Sequence, residues 1–181
     1  MRKLFSDGFG SVFFGVTEAR IGISEGDLLL KKEDKTPNRT GIYKLGFYPS
    51  ELPKEKIRGL FLLGEDIGIE VAEKAEFLVV VSPYLSQIAQ KAQVVFPSAH
   101  SVEQFGSYVN FDGRVQKTEK AIAAPGEAIP AYQILSRIGQ KVSVKIPTCP
   151  AEIFKEISQD IDAFNGLSWQ DLDPCGALTK A

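Results

Sequence analysis

The residues best equipped for chemistry are the adjacent carboxylates Glu65-Asp66, the Ser82-Pro83 step, and Arg114 beside Asp112-Gly113. Glu65 and Asp66 could accept hydrogen bonds from a ribose or from the donor edge of a guanine. Neighbouring residues of extended chain point to opposite faces, so the two form no acid–base pair unless the turn rotates one of them. A plain loop role is the alternative. Ser82 has the side chain of a good helix N-cap, and Pro83 has the fixed φ that suits a first helical position. The free N–H groups of such a helix start would suit a phosphate, or Ser82 would only satisfy its own helix. Arg114 could present its fork to a carboxylate or phosphate, or serve a structural ion pair.

Other chemistries find no residues to carry them. The chain has 181 residues and only two cysteines, Cys149 and Cys175, where a Cys₄ iron–sulfur cluster needs four thiolates. One histidine, His100, leaves no multi-His or Cys/His zinc set, and with no nucleophile pattern nearby it reads as a loop hydrogen-bonding residue. Free thiols are the expectation for a cytoplasmic chain. Gly8-Phe9-Gly10 lacks the third glycine and the preceding strand of a dinucleotide fingerprint. A net charge of −2 gives no electrostatic case for nucleic acid or an anionic membrane. No apolar run is long enough to span a bilayer, and the N-terminus has no signal-peptide core, so a cytoplasmic location without membrane insertion is expected.

The elements that must position these residues are clearest in the middle of the chain. Residues 1–56 show no sustained period and read as an irregular N-terminal region, with an exposed loop at 31–39. From residue 57 a buried strand is predicted at Leu60–Leu63, a short helix over 68–74, and a second strand at Phe77–Val81. A helix starting at Ser82-Pro83 follows, with Leu85, Ile88, Ala89 and Ala92 on its apolar face, then a third strand at Val94–Phe96 closed by Pro97. Alternation of strand and helix implies right-handed crossovers and a parallel, Rossmann-like α/β sheet. Ligands collect outside the carboxyl ends of such strands, so Gly64-Glu65-Asp66, Ser82-Pro83 and Pro97-Ser98-Ala99 should line one crevice. Residues 98–127 read as an irregular excursion. A helix opens at Pro130 and ends at Gly139, another covers 150–164, and 173–181 form a flexible tail.

Within the excursion the residues fall into a familiar register: Pro97, Glu103, Gly106-Ser107, Asn110, Asp112-Gly113-Arg114 and Gln116, continuing through Ala124-Pro125-Gly126-Glu127-Ala128 and Pro130. Together with Ala151–Ile157 and Gly166-Leu167-Ser168, they make residues 57–172 resemble the molybdopterin oxidoreductase family. Asn38-Arg39-Thr40-Gly41 and Leu45-Gly46 extend the likeness weakly toward the N-terminus. Gln93, Ser107, Ile67 and Ala131 depart from the pattern, where Asp, Thr, Pro and an acidic residue are usual.

The resemblance implies a partial domain of that α/β type, in one of two settings. One is the C-terminal part of the large iron–sulfur subunit of respiratory NADH:quinone oxidoreductase, complex I. There the chain would be a non-catalytic scaffold of the peripheral arm at the cytoplasmic face of the inner membrane, its iron–sulfur clusters on partner chains. The other is part of an enzyme, such as a formate dehydrogenase, that binds molybdopterin guanine dinucleotide. Under that reading Gly64, Glu65, Ser82, Pro97, Asn110, Asp112, Gly113, Arg114 and Gln116 would lie near the cofactor; under the first they are vestiges of its site. The chain stops soon after Gly166-Leu167-Ser168, without the family's C-terminal barrel, and the departures weigh against a bound cofactor. Both favour the complex I setting.

Overall fold

In a computed structural model, residues 2–9, 16, 38–50, 55–64, 67–173 and 175–180 are described. Glu65, Asp66 and most of residues 10–37 lie outside this set. Three short strands, β1 (Leu60–Leu63), β2 (Leu78–Ser82) and β3 (Val94–Pro97), lie side by side in chain order and pair in parallel. This is the expected α/β sheet. Runs such as Leu78–Val81 suit strands covered on both faces, which is what parallel pairing requires.

Alternation along β1 sends successive side chains to different layers. Leu62 joins Leu78 and Val80 beneath helices α3 (Ile69–Ala72) and α4 (Gln87–Lys91), where Ala72, Ile88 and Ala89 complete a buried cluster. Phe61 and Leu63 pack instead against Leu4 of α1 (Arg2–Phe9) and Leu135 of α5 (Ala131–Lys141). Helices therefore cover both faces, the layering that lets a sheet this small bury its apolar surface.

The stretch after β3 is more regular than its sequence suggests. A 3₁₀ turn at Ser101–Glu103 leads into an antiparallel hairpin, β4 (Gly106–Val109) and β5 (Arg114–Thr118). Of the paired residues only Val109 and Val115 are buried, so each strand shows one core residue and no readable alternation. They form a second core with Phe154 of α6 (Pro150–Asp160), Phe164 and Leu172. Strand β6 (Ala177–Leu178) pairs with β5, so residues 175–180 pack against the hairpin where a loose tail was expected. Helix α2 (Arg39–Lys44) docks here too: the Asn38 side chain, at the helix start, accepts a hydrogen bond of 2.8 Å from the Val109 N–H. Helices α1 and α2 both fall in the stretch expected to be irregular.

Two helix ends differ from expectation. The helix placed at Ser82-Pro83 begins at Gln87, with Ser86 as the N-cap, its Oγ accepting from the Ala89 N–H at 3.2 Å. Helix α5 runs past Gly139 to Lys141. It closes with Ser143 in the left-handed region (φ 59°), while the Val144 N–H returns to the Gly139 carbonyl at 2.9 Å. Gly139 is needed for closeness, since a Cβ there would sit 2.6 Å from the Val144 carbonyl oxygen.

Candidate functional site

At the carboxyl ends of β2 and β3 lies a cleft of about 430 Å³. Of the three loops anticipated there, two contribute described residues: Pro83 with Tyr84 after β2, and Pro97 with Ser98 at the end of β3, joined by His100 and by Val102 and Glu103 of the 3₁₀ turn that follows it. Pro125, Glu127 and Ala128 close the far side, on a segment anchored to the sheet through a parallel bridge between Ser98 and Ile129. Ser98 donates its N–H to the Ser82 carbonyl (3.1 Å), and Ala99 donates to the Ile129 carbonyl (2.9 Å). These backbone bonds hold both sides of the cleft to the sheet.

Ser82 takes a different part from the expected one. It is the last residue of β2, paired in register with Pro97, and its Oγ accepts from the Tyr84 N–H at 3.1 Å. No helix start is aimed from it at the cleft, because Pro83 to Ser86 are not helical. Gly64 follows β1 and is not among the residues lining the cleft; its N–H donates to the Val81 carbonyl (2.9 Å), and its φ of 64° explains a glycine after the strand. Glu65 lies outside the described residues.

The hairpin residues meet one another rather than the cleft. Asn110 accepts through Oδ1 from the N–H groups of Asp112 (3.0 Å) and Arg114 (2.9 Å), and its own N–H donates to the Arg114 carbonyl (2.9 Å). This closes a three-residue loop whose last residue, Gly113, has φ 81°, the left-handed position such hairpins require. Arg114 extends Nη1 to the Gly176 carbonyl (3.3 Å), and the Gly113 carbonyl accepts from the Thr179 N–H (2.9 Å). Gln116 faces solvent opposite Tyr108. None of Asn110, Asp112, Gly113, Arg114 and Gln116 lines the cleft; Pro97 does.

Tyr84 and Val102 line the cleft without being named from the sequence, whereas Pro83, Pro97 and Ser98 are among the residues expected there. Position just beyond a strand's carboxyl end is the signal that would have found Tyr84. In the sequence Glu103 and Glu127 stand out only as pattern residues. The Glu103 carboxylate accepts from the His100 N–H at 2.8 Å, and His100 Nδ1 lies 3.2 Å from Ser101 Oγ. His100 is thus the loop hydrogen-bonding residue its isolation suggested. The ring of Tyr84 meets that of His100 edge-on, with centroids 5.8 Å apart.

A guanine dinucleotide fits this lining poorly. Glu103 and Glu127 would suit a donor-bearing base edge, but among the described residues no Lys or Arg lines the cleft to face a diphosphate. The cysteines are free thiols, Cys149 at the start of α6 and Cys175 exposed. Among the described residues no three His, Cys, Asp or Glu side chains are grouped to hold a metal ion.

The parallel sheet, covered on both faces and bearing a crevice at its carboxyl end, defines an α/β protein of the kind in which oxidoreductases often bind nucleotides. Residues 34–141 match the family described as Molybdopterin oxidoreductase, and the chain belongs to that family. It is similar to the F420-dependent formate dehydrogenase 2 subunit alpha of Methanococcus maripaludis, 32% identical over 130 residues, covering 65% of this chain and 19% of that one. The corresponding formate dehydrogenase 1 subunit alpha is 30% identical over 131 residues, covering 65% of this chain and 19% of that one. The mitochondrial NADH-ubiquinone oxidoreductase 78 kDa subunit of Neurospora crassa is 34% identical over 116 residues, covering 62% of this chain and 16% of that one. The chain thus spans less than a fifth of each of these relatives.

Proposed function

We propose that this chain is a non-catalytic structural module of an electron-transferring assembly of the complex I type, packed in a peripheral arm beside chains that carry the iron–sulfur clusters. One observation carries the reading: the polar groups of the pattern are engaged within the chain itself. Asn110 holds its own turn, and Arg114 bonds the Gly176 carbonyl. Likeness to the 78 kDa subunit of a NADH-ubiquinone oxidoreductase agrees with it. No described helix is long and apolar enough to cross a membrane, so under this reading partner chains hold the module at the cytoplasmic face of the inner membrane. Affinity purification of the tagged chain from its native extract, followed by identification of the retained proteins, tests the reading. An iron–sulfur-bearing chain should be retained; recovery of the chain alone would oppose it.

A second reading, part of a molybdopterin guanine dinucleotide-binding oxidoreductase, draws on the position of the cleft and on the formate dehydrogenase relatives. When bound, that group would supply a molybdenum centre for redox chemistry. The absence of a cation among the cleft's described residues counts against it. Oxidation of the native assembly should release a fluorescent pterin if this second reading holds.

A further inference from the structure

We propose that the cleft at the carboxyl ends of β2 and β3 receives an arginine side chain from a protein partner. This inference rests on the scaffold reading above and names the chemistry of one contact. Three observations lead to it. First, the charged groups lining the cleft are the carboxylates of Glu103 and Glu127, with no cationic side chain among the described residues to balance them. Second, Ser98 lines the cleft at 6% exposure, and its hydroxyl has no hydrogen-bond partner among the described residues, although its N–H bonds Ser82. A buried hydroxyl left without a partner costs free energy, and a donor entering the cleft would remove that cost. Third, the surroundings are apolar and exposed: Tyr84 at 65%, Leu85 at 70%, and Val102 at 46% beside Ile122 at 55%, whose N–H bonds the Val102 carbonyl.

A small anionic metabolite could take the Ser98 hydroxyl but would set its charge against the two carboxylates. A guanidinium meets all three features. It offers five N–H donors in a planar fork to the two carboxylates and the Ser98 oxygen, and it packs on aromatic faces such as Tyr84. The apolar rim indicates a protein around that arginine, since protein interfaces set an Arg or aromatic anchor within apolar contacts that exclude water. Charge complementarity selects Arg over acidic anchors, and the fork favours it over Lys.

The test titrates the full chain, followed by NMR, with three probes: blocked Gly-Arg-Gly, blocked Gly-Lys-Gly, and GDP. The arginine peptide should shift the signals of Tyr84, His100 and Ser98, bind more tightly than the lysine peptide, and weaken as salt rises. E103Q keeps an oxygen for the His100 N–H, so the turn survives. With E127Q it should weaken arginine binding about tenfold or more, and S98A should weaken it while leaving the fold intact. Shifts that persist unchanged in E103Q/E127Q would overturn the proposal. No shift with any probe would overturn it too, leaving the scaffold reading standing. Binding of GDP at these residues without the arginine peptide would overturn both.

Discussion

Replacing Asn110 by Ala separates a turn-building role from a ligand-binding one. The Oδ1 of Asn110 accepts two backbone hydrogen bonds, one from the exposed Asp112 N–H and one from the half-buried Arg114 N–H. Water takes over the first at little cost. The second N–H is left poorly satisfied, which with the loss of the turn costs about 2 kcal/mol. In a chain of this size that lowers Tm by about 4–8 °C. Asn110→Asp keeps the acceptor oxygen and should stay close to the parent. The single tryptophan, Trp169, reports on this region because its ring lies over Lys117 Nζ of β5 (5.1 Å) and beside Phe154 (6.0 Å). Urea unfolding followed by its fluorescence should show a lower midpoint for Asn110→Ala and a nearly unchanged one for Asn110→Asp. Equal loss in both variants, or loss in neither, would refute the turn-building role.

Ser86→Ala should cost about 1 kcal/mol of stability as a true N-cap and Ser82→Ala less, a ranking that chemical denaturation measures. Gly176→Ala would place a Cβ 2.2 Å from the Val115 carbonyl oxygen at a φ of 74°, so β6 should detach and the amides of residues 177–180 should exchange faster with solvent. Phe154→Ala should destabilise by about 3–5 kcal/mol, because Phe154 is buried in the hairpin core, with the loss again read by denaturation. The Ser168 hydroxyl and N–H hold the Asp171 carboxyl below its ordinary range. That contribution is present above the unfolded-state value and is lost as pH falls through the folded one. Carbon NMR titration should place Asp171 low in the parent and higher in Ser168→Ala.

The sheet was legible because its strands are buried on both faces, and runs such as Leu78–Val81 then need no alternation to be recognised. The hairpin was not. One buried valine per strand leaves no period, and its core partners Phe154 and Leu172 come from distant sequence. Ser82-Pro83 satisfied every local rule for a helix start, yet the chain stays non-helical until Gln87. Leu85 would have faced the core in the longer helix; it is 70% exposed, while Ile88 and Ala89 supply the buried face. The crevice could be anticipated from strand order alone. Its lining was legible at Pro83, Pro97 and Ser98 but not at Glu127, which is brought there by the Ser98–Ile129 bridge, a pairing with no local signature.

A metal count tests the scaffold role most directly. Iron and molybdenum should be measured in the assembly retained by the tagged chain from native extract, with pterin assayed after oxidation. A scaffold beside cluster-bearing partners predicts iron in clear excess and neither molybdenum nor pterin; molybdenum and pterin in proportion to this chain would contradict it.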